Sequence, residues 1–263
     1  MDISVVVPTI RPRSEIEVVK YLDRCSFENY EVIIREDVPV TKARNEGYKR
    51  ASAEKILFLD DDSMPLDGYL RAASETLEEE MAVAGRTVHP RDDVFAGQLT
   101  SHYDFGDDPR YVERFWGCNM GMRREALETV GGWDEDMGWG HEEKELAERV
   151  LSEYPIYYDP DMVVEHVYAE SLRDFWIKKY KLERGTPYFQ RKQGFSTGQI
   201  LRETLTYPLD PLTYLGRTPR LTLARSGIRL TGFAGRVAGL VGTDSVDSNQ
   251  SATEDSETAE RRV

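Results

Sequence analysis

The stretch KILFLDDDSMP, residues 55–65, sets a short apolar run directly before three consecutive acids, Asp60, Asp61 and Asp62. A run of this length reads as a buried strand, and in an open α/β sheet ligands bind beyond the carboxyl ends of the strands. Three adjacent carboxylates repel one another, and a divalent cation is their natural compensator. Mg²⁺ or Mn²⁺ takes one or two carboxylates together with phosphate oxygens. On an extended backbone Asp60 and Asp62 share one side and Asp61 faces away. The plain alternative is a turn or capping cluster before the helix that follows Pro65.

Outward from this stretch, short apolar runs alternate with amphipathic ones. Upstream, ISVVVP and YEVIIRE read as strands, and RSEIEVVKYLDRC and TKARNEGYKRAS as helices. Downstream, PLDGYLRAASETLEEE reads as a helix and MAVAGRTV as a fourth strand. Strands separated by helices imply crossovers and an α/β, mostly parallel sheet flanked by helices. Further on, FWGCNMGM is a strand candidate, REALETVG and EEKELAERVLSE are helix candidates, and IYYDPDMVVEHVY reads as strand, turn and strand. A helix over SLRDFWIKKYKLERG is expected to close at Gly185.

At 263 residues, 40% hydrophobic and 31% charged, the chain can bury a substantial core. Its formal charge of −14 excludes broad nucleic-acid binding by counterion release. Arg outnumbers Lys by 25 to 9, and an acid-rich, lysine-poor composition suits a halophilic, highly saline cytoplasm. Two cysteines, Cys25 and Cys118, are too few for a disulfide framework or a Cys-based zinc site, and a reducing compartment is expected. MDISVVVPTI lacks the basic start and long apolar core of a secretory signal, and no run approaches 18 apolar residues.

The segment from Arg217 to Arg236 carries five Arg and no acid. At 100° per residue Arg225, Arg229 and Arg236 fall within about 40° of one another, beside an apolar arc of Leu230, Phe233, Val237, Leu240 and Val241. A basic amphipathic helix on an anionic membrane surface is one reading. The other is a helix packed on the protein with its arginines turned toward acids. From Thr243 the chain is polar and acidic, and a disordered tail is expected.

Several motifs in order resemble the GT-A fold glycosyltransferases, and family 2 among them. These are VVVPT at the first strand's end, Glu36-Asp37 after the second, ARNEG from Ala43 to Gly47, the aspartate triplet, and GCNMGMRREALETVGGWDEDMGWGHEEKEL from Gly117 to Leu146. WGHEE also looks like a stretch of galactosyltransferases of that fold. The resemblance covers about residues 1–190, which are expected to form the catalytic domain. Residues 191–242 would be a helical extension and 243–263 the acidic tail.

The resemblance implies transfer of a hexose-type unit from a nucleotide-diphosphate sugar to an acceptor hydroxyl, with Mn²⁺ or Mg²⁺ as cofactor. It implies Asp62 as metal ligand, Asp60 sharing the ion or reaching the ribose, and His166 completing the site. The nucleotide sugar would be held by Thr9, Arg11, Asp37, Arg44, Asp60 and Asp61. Glu143 would be the catalytic base where the family has Asp, Glu142 would orient the acceptor, and Trp139, Gly140 and His141 would line the acceptor side. A single base with no nucleophile opposite favours inversion. The Arg-rich segment suggests a polyprenyl-phosphate-linked or other glycan acceptor at the cytoplasmic membrane face, as in surface-glycan biosynthesis and protein glycosylation.

Two alternatives stand beside this reading. A phosphohydrolase with a nucleophilic aspartate also places an Asp-x-Asp behind an apolar strand, although Met64 stands where such enzymes want Thr or Val. An inactive sugar- or nucleotide-binding member of the fold is the other, suggested by Glu at position 143.

Overall fold

The computed structural model describes residues 1–91, 99 and 101–242. The chain divides into two compact units, one of Met1–Asp134 with Glu142–Phe175, the other of Glu135–His141 with the chain from Trp176 on. The expected tail from Thr243 lies outside the described residues.

The first unit is built on strands β1 (Ile3–Pro8), β2 (Tyr30–Arg35), β3 (Lys55–Phe58), β4 (Met64–Pro65), β5 (Ala82–Val88), β6 (Arg110–Val112), β7 (Met120–Arg123) and β8 (Ile156–Glu165). The sheet order is β2-β1-β3-β7-β5-β8-β4, with β6 also on β8. β1 pairs parallel with β2 and β3, and β5 parallel with β8, while β7 runs antiparallel between β3 and β5. Two antiparallel pairings in succession leave β3 and β5 pointing the same way. Five strands, β1, β2, β3, β5 and β8, therefore run the same way, as expected, while β7 at the centre and β4 and β6 on β8 run against them.

Apolar residues alternate between its two faces as a strand period of two requires. Val6, Ile56, Phe58, Ala82 and Ala84 join one core with Tyr48, Leu127, Trp133 and Leu146. Val5, Val7, Leu57, Leu59 and Val83 join the other with Leu22, Tyr69, Leu70 and Leu77. Helices α2 (Val40–Arg50), α4 (Arg124–Val130) and α5 (Glu142–Leu151) thus cover one face, and α1 (Val18–Leu22) and α3 (Tyr69–Glu79) the other. α2 packs closely because Gly47 has no side chain: a Cβ there would lie 2.2 Å from Cγ1 of buried Val6.

Three sequence expectations are corrected. The helix expected across residues 13–25 is a short 3₁₀ turn and then the five-residue α1. The amides of Glu17 and Val18 donate to the Asp61 carbonyl at 2.9 and 3.1 Å, so α1 starts where the aspartate loop supplies an acceptor. IYYDPDMVVE is one strand, not two: the β5 register jumps from Gly85↔Asp159 to Arg86↔Val163, and Asp159 Oδ1 accepts from the Asp161 amide inside that bulge. Gly185 does not end its helix, because α6 runs Leu172–Lys192 through both Gly185 and Pro187. The glycine serves a close approach there, since its Cβ would lie 3.1 Å from the Gly140 carbonyl oxygen.

The second unit holds most of α6, then α7 (Thr197–Thr206) and α8 (Pro219–Val241). Ser196 and Gln199 form a reciprocal capping box at the start of α7. α8 is tolerant of its glycines because they are its contact face. Added Cβ atoms at Gly227, Gly235 and Gly239 would run into Trp176, the Tyr180 carbonyl and the Arg184 carbonyl. Arg236 donates to Glu183 at 2.6 Å and lies 4.2 Å over the Tyr207 ring, and Arg229 lies 4.5 Å over the same ring. These two arginines of the basic face are turned inward, onto an acid and an aromatic ring of their own unit. Among the described residues no helix is long and apolar enough to cross a membrane.

Candidate active site

β3 ends at Phe58, and after buried Leu59 the chain turns with Asp60, Asp61 and Asp62 at the sheet's carboxyl edge. β4 follows at once and pairs antiparallel with β8, Met64 opposite Glu165. That register carries His166 back alongside the triplet, with Nε2 3.3 Å from Asp62 Oδ1. The antiparallel β3·β7 ladder sets Phe58 opposite Met120, so two residues on from β3 and two residues back from Met120 bring Asp60 to Cys118. Ligand atoms of Asp60, Cys118 and His166 lie within 4.8 Å of one another.

Asp61 turns elsewhere. It accepts from the Thr9 hydroxyl at 2.5 Å and lies 3.6 Å from Arg11, whose other branch is 3.5 Å from Asp62. Thr9 Oγ1 also accepts from the Arg11 amide, which folds the end of β1 over the triplet. Asp37 is held by Arg35 at 2.8 Å just past the end of β2. Of the residues expected to hold a nucleotide, Thr9, Arg11, Asp60 and Asp61 converge directly.

Arg44 is buried, and it bridges two acids. It donates to Asp60 at 3.3 Å and to Glu142 at 3.2 Å, while its guanidinium lies 4.4 Å over the Trp133 ring. Gly117 leaves it room, since a Cβ there would sit 2.5 Å from Arg44 Nη2. The neighbouring Asn45 exchanges two hydrogen bonds with the Trp133 backbone, at 2.9 and 2.8 Å. In ARNEG, then, Arg44 joins the acids, Asn45 braces the Gly-Gly-Trp turn and Gly47 admits Val6.

Glu142 and Glu143 open α5, where acids are favoured by the helix dipole. Glu142 is buried, with one oxygen engaged by Arg44. Burial first, and then the adjacent Glu142 carboxylate, push Glu143 well above the usual carboxylate range, against the pull of Arg44. A carboxyl poised upward in this way is suited to accept a proton near neutral pH. The Cys118 thiol is pushed up by burial first and then by the negative charges of Asp60, Glu143 and Asp62.

The donor set fits a divalent cation. Desolvation pushes Asp60 upward, only partly offset by Arg44 and His166, and a cation there would relieve that strain. Carboxylate and imidazole donors suit Mn²⁺; Asp60 and His166, whose ligand atoms lie together, would hold it, with Asp62 reaching the site beside His166. Cys118 was not expected here, because only the antiparallel insertion of β7 brings it opposite Asp60. A second unforeseen feature is an aromatic wall: Tyr103 lies 4.4 Å from Trp116 and 5.5 Å from Tyr168, centroid to centroid. Tyr168 is pushed upward by burial and by Glu143, and with Tyr103, His89 and His166 it lines a small cavity.

Trp139, Gly140 and His141 belong to the second unit, immediately before α5 in the chain. His141 has φ 68°, a left-handed backbone uncommon for a non-glycine residue. It is held by a 2.9 Å hydrogen bond to Thr186 and by stacking on Phe189 at 5.2 Å. Gly140 takes φ 108° against Leu182.

The sequence matches glycosyl transferase family 2 over residues 13–131 and the N-terminal domain of galactosyltransferase over residues 101–168. No curated protein sequence matches the chain. Among solved structures, the chain is similar to the mannosyltransferase PcManGT from Pyrobaculum calidifontis in complex with GDP-Man and Mn²⁺, with 16% identity over 99% of this chain and 81% of that one, TM-score 0.54. It is similar to S. aureus TarS in complex with UDP, with 16% identity over 90% and 91% of the two chains, TM-score 0.51. GalNAc-T7 with UDP, GalNAc and Mn²⁺ matches at 14% identity and TM-score 0.50, over 63% of this chain and 43% of that one. With the family match set on this fold, the chain is a glycosyltransferase of the GT-A fold, similar over residues 13–131 to glycosyl transferase family 2.

Proposed function

We propose that the chain moves a hexose-type unit from a nucleotide-diphosphate sugar to an acceptor hydroxyl, by metal-dependent displacement with inversion, using machinery within residues 1–190. The observation that carries this reading is the cluster of Asp60 and His166 at the sheet's carboxyl edge, with Asp62 beside His166 and Arg44 joining Asp60 to Glu142 at the start of α5. A diphosphate leaving group needs positive charge, and an attacking hydroxyl needs a base, within one site. A bound divalent cation would supply charge stabilisation for the departing diphosphate. Glu143 takes the acceptor proton, its basicity raised by burial and by Glu142. Arg44 holds Glu142 and Asp60 in fixed positions, so the base's side of the site and the metal's side keep register. Arg11, half exposed beside Asp61 and Asp62, is free to meet the donor's phosphates.

The phosphohydrolase alternative fares worse, since Asp60 would have to be its nucleophile and is bound by Arg44. The nucleotide complexes of PcManGT and TarS support a nucleoside-diphosphate donor, and the Mn²⁺ in the former supports the metal. For the acceptor, a glycan carried on a lipid such as a polyprenyl phosphate, at the cytoplasmic face of the membrane, suits the cationic C-terminal part of the chain. Titration calorimetry with UDP and GDP in the presence of Mn²⁺ tests the reading: saturable binding of at least one is expected, and binding of no nucleoside diphosphate would sink it. A donor screen scored by thermal shift then names the sugar.

A further inference from the structure

α8 is built inside out. Its glycines face α6 and its Arg229 and Arg236 face Tyr207 and Glu183, while the opposite side is apolar and open to solvent. At 100° per residue Leu223, Leu230, Val237 and Val241 fall within about 40° of one another. They are 57%, 59%, 38% and 77% exposed, and exposed Ala234 lies in the same stripe. From Leu223 to Val241 the stripe extends about 27 Å along the helix. Such an uncharged, uncovered stripe marks an interaction surface.

The charge around it narrows the partner. Residues 176–242 contain twelve Lys and Arg against three acids, a balance of +9 in a chain whose total is −14, so the remaining residues sum to −23. Arg217 and Arg220 are exposed at the start of α8. Two copies joined through this face would bring like charge against like. An anionic surface with an apolar interior complements both properties at once.

We infer that the outward stripe of α8 docks on an anionic lipid bilayer, lying in the interface with the exposed arginines at headgroup level. This contact is independent of the transfer chemistry. Leu230, Val237 and Val241 of the apolar arc expected from sequence make the contact together with Leu223, while Arg229 and Arg236 serve the helix's own packing.

The experiment is co-sedimentation of the full chain with vesicles of phosphatidylcholine alone or with about a third phosphatidylglycerol, at low and high salt. Binding is expected to the anionic vesicles and to weaken with salt. Leu230→Ser with Val237→Ser should lower the partition coefficient about tenfold or more without moving the melting curve. Arg217→Glu with Arg220→Glu should weaken binding to anionic vesicles through charge alone. Failure to bind anionic vesicles at low salt, or binding by both double variants as strong as that of the unsubstituted chain, overturns the inference. So does a sedimentation mass of two chains that Leu230→Ser with Val237→Ser reduces to one, which would make a second copy the occupant. Nucleoside-diphosphate binding measured on the same samples reports on the transfer reading separately.

Discussion

Arg44 and Glu142, 98 residues apart in the chain, form a buried ion pair at 3.2 Å in which each side chain is 3% exposed. Removing one partner of a buried pair strands the other's charge, a loss of about 3–5 kcal/mol. Arg44→Met is therefore expected to lower the unfolding free energy by about that amount, read by urea denaturation. Arg44→Met with Glu142→Met should recover part of it, because no unpaired glutamate is then buried.

Glu143→Gln removes the proposed base while keeping the side chain's shape. Transfer is expected to fall about 10²–10⁴-fold with nucleoside-diphosphate binding retained. A base works only when deprotonated, so activity is present above its pKa and lost as pH falls through it. With Glu143 raised, the acid limb of kcat/KM should lie above the usual carboxylate range. Glu142→Gln removes the nearest charge raising Glu143, and the limb should move to lower pH. A limb that stays in place would assign the base elsewhere.

Chelation by EDTA should abolish transfer, and added Mn²⁺ should restore it. Asp62→Asn and His166→Ala should each weaken Mn²⁺ binding by about tenfold or more, followed by paramagnetic resonance of the free ion. Equal Mn²⁺ affinity in both variants would place the cation away from the contact between Asp62 and His166.

Gly47→Ala offers a packing test. Alanine is the better helix former by about 1 kcal/mol, but its Cβ would lie 2.2 Å from Val6. Overpacking of about 1–3 kcal/mol should win, giving net destabilisation, and Val6→Ala in the same chain should relieve part of it. Net stabilisation by Gly47→Ala alone would refute the close contact.

Glu183 sets an acid limit on stability. Burial would raise it, but Lys179, at 2.7 Å, and Arg236 hold it down at about 2, against 4.5 for the free side chain. A depressed carboxyl contributes its stability above the unfolded value and loses it as pH falls through the folded one. About 3 kcal/mol should therefore disappear between pH 4.5 and 2. Glu183→Gln should remove most of that dependence, measured by thermal denaturation across the window.

The strand before Asp60, the helix at ARNEG and the order of parallel elements were legible because each is announced by local pattern: apolar runs bounded by charge, or amphipathic spacing. The acids of the site were legible for the same reason, since DDD and WGHEE are contiguous. Cys118 was not, because its approach to Asp60 depends on β7 entering the sheet in reverse. Nor was the late start of α1, where the Glu17 and Val18 amides donate to the Asp61 carbonyl.

α8 draws the dividing line most clearly. Its arginines and leucines lie at angles that helix geometry alone prescribes, and those angles are written in residues 219–241. Which side meets solvent is a different question, answered by Trp176, Tyr180, Glu183 and Tyr207. Local periodicity sorts side chains onto faces, but burial is a property of what arrives from elsewhere in the chain. Residue types and spacing thus pointed to the aspartate triplet, the Glu142-Glu143 pair and the basic segment as candidates. Long-range packing chose Arg44 as the link between the acids and turned the apolar side of α8 outward.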